Sequence, residues 1–267
     1  MNNPAQKLTK PSSGPTEETV LEVQHYTDDL FRFKLTRPDA FRFRSGEFIM
    51  LGLMINEKPL LRAYSVASPA WDEELEFYSI KVKGGPLTSH LCHTEKGDKV
   101  LLGRKPVGTL VLDALTPAKR LYMISTGTGF APFASLIRDP ATYEMFEEVV
   151  VTHTCREVAE LTYSKQVVED TLNHEFLGEI AKGKLHYFDS VTREEHPRQG
   201  RITTLLEDDT VTNYFGFESL NPNTDRVMIC GSTAMLNDTK AICEKRGFVE
   251  GANSAPADFV IERAFVG

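Results

Sequence analysis

The feature that most constrains this chain is a single change of hydrophobic period near Thr116-Pro117. Upstream of it, Phe31, Phe33 and Leu35 alternate with Arg32 and Lys34, the period of two that a half-buried strand requires. Further strand-like runs cover residues 47–53, 61–67, 75–82 and 99–104. Turns rich in Gly, Pro and charge separate them, such as Arg37-Pro38-Asp39 and Lys83-Gly84-Gly85-Pro86. Short strands so closely spaced predict a barrel or sandwich, with one short helix over 87–93. Downstream, apolar runs at 121–124, 149–151, 185–188, 227–230 and 259–261 alternate with helix-like stretches at 134–138, 158–172 and 234–245, the last stopping at Gly247. That alternation predicts a parallel, doubly wound α/β sheet.

With 267 residues the chain can bury two separate cores. The expected organisation is a flexible tail over 1–17, a β domain over 18–117 and an α/β domain over 118–267. A net charge of −8, from 30 basic and 38 acidic residues, argues against a generic nucleic-acid binder. No apolar run approaches the roughly 20 residues that span a bilayer, so no membrane segment is expected. Residues 1–15 lack the apolar core of a signal peptide. Cys92, Cys155, Cys230 and Cys243 contain no Cys-x-x-Cys pair, and the seven histidines form no metal-like cluster. The expectation is no metal site, no disulfide framework and a cytoplasmic location.

Three segments of the β half bear on chemistry. In Arg62-Ala63-Tyr64-Ser65, strand alternation sends Arg62 and Tyr64 one way and Ala63 and Ser65 the other. An Arg grips a diphosphate with two donors, and a Tyr two residues on can lay its ring on a flat heterocycle. The plain alternative is a half-buried strand with an exposed Arg and a packing Tyr. Next come Phe77-Tyr78-Ser79-Ile80-Lys81-Val82 and then Gly84-Gly85-Pro86-Leu87-Thr88-Ser89, which opens a helix. A helix N-terminus is a seat for a diphosphate, although an ordinary cap has the same sequence. In the α/β half, Thr126-Gly127-Thr128-Gly129-Phe130-Ala131-Pro132 joins a strand to a helix, where glycines let backbone approach a diphosphate. It lacks the Gly-x-Gly-x-x-Gly spacing, since Pro132 holds the third glycine position.

In order and spacing these segments resemble the bacterial ferredoxin (flavodoxin)–NADP⁺ reductases, over about residues 20–267. The resemblance implies an antiparallel six-stranded β-barrel that binds FAD, followed by an α/β doubly wound parallel-sheet domain that binds NADP(H). It implies that Arg62 holds the FAD diphosphate, Tyr64 stacks on the isoalloxazine, Ser65 sits by flavin N5 and Ala63 between them belongs to the cofactor-binding set. Tyr78, Ile80, Lys81 and Val82 are implied to line the flavin, and Leu87, Thr88 and Ser89 to bind its diphosphate. Thr126, Gly127, Thr128, Gly129, Ala131 and Pro132 match the NADP-diphosphate loop. Arg156, Arg193 and Arg201 match the 2′-phosphate region, and Cys230-Gly231 with Met235 the nicotinamide side. Glu262 matches a glutamate near the flavin. Ala264 stands where plastid relatives end in an aromatic, and Phe265 is implied to stack on the FAD adenine. Ser65, Cys230, Glu262 and Ala264 are thus the expected catalytic positions.

The activity implied is electron exchange between NADPH and a one-electron carrier, ferredoxin or flavodoxin, by a protein expected to be a monomer. A local basic face drawn from Arg42, Arg44, Lys81, Lys83, Arg104 and Lys105 is expected to meet an acidic carrier. Two other readings stay open: an NAD(P)H-dependent flavin or quinone reductase, and a non-catalytic flavin-binding module.

Overall fold

The computed structural model describes residues 14–263. Six strands form the first sheet: β1 (Thr16–His25), β2 (Leu30–Thr36), β3 (Phe48–Ile55), β4 (Lys58–Ser65), β5 (Glu74–Ile80) and β6 (Lys99–Leu102). Every neighbour pair is antiparallel, in the order β4-β3-β6-β1-β2-β5. The period of two turns Phe31, Phe33 and Leu35 inward, where they meet Val20, Phe77 and Leu102 at 0 % exposure. The edge strands β4 and β5 meet through side chains, Tyr64 against Phe77 and Ser79, and not through a ladder. A single helical turn, α1 (Thr88–Leu91), lies between β5 and β6 and is shorter than the stretch expected over 87–93.

After a 3₁₀ turn at Leu112–Ala114 the chain enters the second sheet. Its strands are β7 (Arg120–Thr126), β8 (Glu148–Cys155), β9 (Leu185–Val191), β10 (Asp225–Gly231) and β11 (Phe259–Arg263), all parallel, in the order β11-β10-β7-β8-β9. The helices are α2 (Ala131–Ile137), α3 (Pro140–Met145), α4 (Thr162–Asn173), α5 (Leu177–Ala181), α6 (Ile202–Glu207), α7 (Thr210–Tyr214) and α8 (Thr233–Lys245). They cover both faces: Leu121 and Met123 of β7 join one core, Tyr122 and Ile124 the other. The strand order turns back between β7 and β10, and such a switch point opens a crevice at the strands' C-terminal ends. Those ends are Thr126 and Gly231, where the sequence carries its glycine-bearing loops.

Three expectations need correction. Thr16 and Glu17, assigned to the tail, pair in β1 with Leu102 and Leu101 of β6; residues 1–13 lie outside the described part. The helix expected over 158–172 is divided, with a 3₁₀ turn at Val158–Leu161 preceding α4. A capping box between Glu157 and Glu160 closes that turn. The short helices α3, α5, α6 and α7 were not expected, since each is too brief to show a helical period.

The two domains meet at a buried polar node. Glu76 of β5, at 5 % exposure, accepts hydrogen bonds from Tyr163 Oη at 2.7 Å and Arg138 Nη2 at 2.9 Å, with Arg32 Nη1 at 3.5 Å. Burial pushes the Glu76 carboxyl up, but Arg138, Tyr163 and Arg32 together outweigh it and hold it below its usual range. Arg138 Nη2 also reaches Ala67 O at 2.6 Å, and Ser135 Oγ donates to Ser68 O at 2.7 Å. Trp71 Nε1 donates to Arg138 O at 2.9 Å along the same seam.

Candidate active site

On the barrel side, Tyr64 ends β4 with its ring held edge-on by Phe33 and Phe77, centroids 6.5 and 6.4 Å away. Its hydroxyl lies 3.3 Å from Ser79 Oγ, and burial raises its pKa against that bond and Arg62, so it stays a neutral phenol. Arg62 and Ala63 are exposed, and Arg62 Nη1 touches only its neighbour Leu61 O, at 2.9 Å. The Ser65 hydroxyl has no partner among the described residues. Thr88 Oγ1 accepts from Val82 N at 3.0 Å and closes the turn into α1. Among the described residues the N–H groups of Leu87 and Thr88 have no protein acceptor, so they remain available to an anion. An aromatic ring, an exposed guanidinium and N–H groups without a protein acceptor fit a flavin and its diphosphate.

Two assignments on this side change. Tyr78 was expected beside the flavin, but its ring stacks on Tyr163 of α4, centroids 4.2 Å apart, at 3 % exposure. It lies on the outer face of β5, which the second domain covers. Leu87 is 2 % exposed, so its side chain serves the core. Ile80 and Lys81 are half-buried and Val82 is exposed.

The nucleotide side lies at the ends of β7, β8, β9 and β10. Residues Gly127–Phe130 form a 3₁₀ turn that feeds α2, whose first turn contains Pro132. The two glycines answer different needs. Gly127 has φ +53°, a left-handed conformation that favours glycine, with open space where a Cβ would point. Gly129 is buried, and a Cβ there would meet Cys230 O at 2.3 Å, so close packing on β10 demands it rather than a ligand. Ala131, Pro132 and Thr128 are buried as well, leaving backbone as the accessible part of the turn. His153 fastens the turn from below: its Nε2 donates to Gly127 O at 2.8 Å, and its Nδ1 pairs with Ser164 Oγ at 2.7 Å. Burial lowers its pKa to about 4, so it is neutral at physiological pH.

Arg156, after β8, and Arg193 and Arg201, on the loop between β9 and α6, line one cleft of about 660 Å³. All three are exposed, and among the described residues none has a side-chain hydrogen bond or ion pair. Three unpaired guanidiniums around one cleft fit a phosphate. Thr126, Met235 and Ser232 line the same cleft, with Thr154, Thr192 and Thr203, which no sequence motif marks. Isolated hydroxyls at strand and helix ends carry no spacing signal, so only the fold could gather them.

The C-terminal strand β11 brings the domains' reactive faces together. Glu262 pairs in register with Cys230, and its Oε2 accepts from Thr109 N of the barrel side at 3.1 Å. Burial, against the Thr109 bond and with help from Glu47, pushes the Glu262 carboxyl up to about 7. Such a group holds or releases a proton near neutrality. Gly108 leaves room for it: a Cβ there would stand 2.9 Å from Glu262 Oε2. Cys230 is fully buried, and burial together with Glu262 pushes its thiol well up, which disfavours the thiolate a nucleophile needs. Gly231 is packed under Met235 and Thr126. Ala264 and Phe265 lie outside the described residues. Of the expected basic face, Arg44 is neutralised by Glu47 and Asp113, whereas Lys81 and Lys83 have no ion-pair partner among the described residues.

Comparison with known proteins agrees with this geometry. The oxidoreductase FAD-binding domain family matches residues 19–111, and the oxidoreductase NAD-binding domain family matches residues 123–241. The chain is 55 % identical over 254 residues to a flavodoxin/ferredoxin–NADP reductase of Rhodobacter capsulatus, covering 95 % of this chain and 94 % of that one. It is 48 % identical over 250 residues to a ferredoxin–NADP reductase of Azotobacter vinelandii, covering 93 % and 97 %. A solved ferredoxin NADP⁺ reductase from Neisseria gonorrhoeae with bound FAD and NADP superposes with a TM-score of 0.86 at 28 % identity, covering 95 % and 100 %.

Proposed function

The chain belongs to the ferredoxin/flavodoxin–NADP reductases, FAD- and NADP-dependent oxidoreductases, and from that premise we propose how its own residues divide the work. Residues 18–117 hold FAD and residues 118–267 hold NADP(H). Arg62 and the N–H groups opening α1 bind the flavin diphosphate, with Thr88 and Ser89 adding hydroxyls. Tyr64 supports the isoalloxazine ring, and the backbone of Ile80, Lys81 and Val82 borders it. The turn from Thr126 to Pro132 presents its N–H groups to the NADP diphosphate. Arg156, Arg193 and Arg201 bind the 2′-phosphate. Cys230, Gly231 and Met235 shape the nicotinamide pocket, while Ser65 and Glu262 stand at the reacting face, where Glu262 exchanges a proton. Bound FAD supplies the hydride acceptor and the one-electron donor; the protein orients it and excludes water. The partner is ferredoxin or flavodoxin, and the enzyme acts as a cytoplasmic monomer. Its four cysteines, all free and buried, suit a reducing compartment.

The observation that carries this reading is the trio of unpaired arginines in one cleft. Replacing Arg193 and Arg201 by Ala should raise KM for NADPH about tenfold or more, at roughly 1.4 kcal/mol per factor of ten, with kcat little changed. These contacts lie far from the reacting carbon and bind ground and transition states alike. Unmodified enzyme that used NADH and NADPH equally would refute the assignment.

A further inference from the structure

Arg193 and Arg201 sit on one loop, whose backbone is tied down near its two ends, Val191 N donating to Arg198 O at 3.3 Å among those ties. Thr192 N and Arg193 N donate to Cys155 O and Arg156 O at 3.1 and 2.9 Å, and Gly200 N donates to Val191 O at 2.9 Å. Between those ends, Glu194, Glu195, Pro197 and Gln199 are exposed. Two side chains turn inward from the loop: His196, whose Nε2 lies 3.8 Å from Asp189 Oδ2, and the longer Arg198. Its guanidinium donates through Nε and Nη2 to Asp189 Oδ1, with the Nε contact at 2.8 Å, and through Nε to Asp189 O at 2.9 Å. Nη1 donates to Tyr214 Oη at 3.2 Å. The plane lies over the rings of Phe188 and Tyr214, 5.7 and 5.2 Å from their centroids. Asp189 itself is 1 % exposed and also takes Lys165 Nζ at 3.1 Å. Burial pushes its carboxyl up, but Arg198 and Lys165 outweigh that and keep it ionised.

A guanidinium used on every edge and stacked on two rings does not recognise a ligand; it fixes the backbone that carries it. We propose that Arg198, clamped by Asp189, Phe188 and Tyr214, is a positioning residue for cofactor selectivity that holds Arg193 and Arg201 at the spacing the 2′-phosphate requires. This rests on the reading of those two arginines given above. Because the 2′-phosphate is the sole difference between NADPH and NADH, a loosened loop raises KM for NADPH and leaves the NADH reaction as it was. Lys165 stays beside Asp189 when Arg198 is shortened, so the buried carboxylate keeps one cation.

The test uses the FAD-loaded enzyme and compares Arg198→Met with the parent and with the Arg193→Ala/Arg201→Ala double variant. KM and kcat are measured separately for NADPH and NADH, and affinity for 2′,5′-ADP is measured against 5′-AMP. The expected result for Arg198→Met is an NADPH preference reduced about tenfold, through KM alone, with 2′,5′-ADP weakened and 5′-AMP unchanged. An unchanged ratio, or equal losses with both nucleotides, overturns the proposal, as does a lowered melting temperature with selectivity intact. If the double variant loses selectivity and Arg198→Met does not, only the clamp fails; if the double variant keeps it, the underlying assignment fails too. Should Arg198→Met not fold, Tyr214→Ala removes the exposed side of the clamp and should shift the ratio in the same direction by a smaller factor. A soluble Tyr214→Ala enzyme with parental selectivity then overturns the idea.

Discussion

Replacing Arg138 by Met would remove the main counter-charge of Glu76 without changing the bulk at the domain seam much. Glu76 would remain buried, with Tyr163 Oη at 2.7 Å and Arg32 at 3.5 Å as its surviving partners. Breaking a buried pair by deleting one member costs about 3–5 kcal/mol, and two surviving partners place the expected loss near the lower end, about 3 kcal/mol. Tyr163→Phe removes one hydrogen bond to a charged acceptor and should cost less, about 1.5–3 kcal/mol. Glu76→Gln combined with Arg138→Met deletes both charges and should recover part of the loss, a coupling of about 0.5–3 kcal/mol. The assay is urea unfolding followed by Trp71, the single tryptophan, whose indole donates to Arg138 O on this seam. Because Arg138 and its neighbours hold the Glu76 carboxyl below the ordinary glutamate range, the parent's advantage is present above about pH 4.5. It is lost as pH falls through the lower folded-state value, so the variant's deficit should shrink in acid. A deficit under about 1 kcal/mol at pH 7, or strictly additive changes in the double variant, would refute the account of the node.

Three further outcomes are expected. The Glu262 carboxyl, raised from 4.5 to about 7, adds stability that is full below about pH 4.5 and is lost as pH rises through 7. Thermal melts from pH 4 to 9 should show Glu262→Gln gaining on the parent between about pH 4.5 and 7 and keeping that gain above neutrality, up to about 3 kcal/mol at 1.36 kcal/mol per unit, and a constant difference over the whole range would contradict it. His153→Phe keeps a ring beside Phe130 but frees Gly127 O, so KM for NADPH should rise with a stability loss of about 1–3 kcal/mol; unchanged KM would limit His153 to packing. Reduction of an acidic carrier should slow as salt rises, through Lys81 and Lys83, and a rate indifferent to salt at limiting carrier would discard that face.

Much of the site was legible because phosphate and flavin recognition use residue types with strong local signals. Arg62 and Tyr64 stand out by strand alternation, the Gly127 turn by its place between β7 and α2, and Arg193 and Arg201 by their loop. What escaped was everything set by the second domain's position. Strand alternation puts Glu76 and Tyr78 on the outer face of the barrel, where a lone barrel meets water. Here that face is covered, by partners 62 and 87 residues away in the chain for Glu76, and a local pattern holds no trace of such distance. The basic face failed in part for the same reason, since Asp113, which neutralises Arg44, lies 69 residues on.

The path of β11 has a consequence for the order in which the enzyme comes into being. Barrel residues through Leu102 leave the ribosome first, and their antiparallel pairs close within that segment. Glu262, which joins Thr109 of the barrel side to Cys230 of the nucleotide side, belongs to the last of the described strands to emerge. At synthesis rates of roughly 5–20 residues per second, the interval from Leu102 to Glu262 lasts on the order of ten to thirty seconds. During it the nascent chain holds every strand of the barrel while the reacting face is unfinished. Chains cut short before β11 would therefore present a flavin-binding surface with neither Glu262 nor the contact that joins it to the barrel.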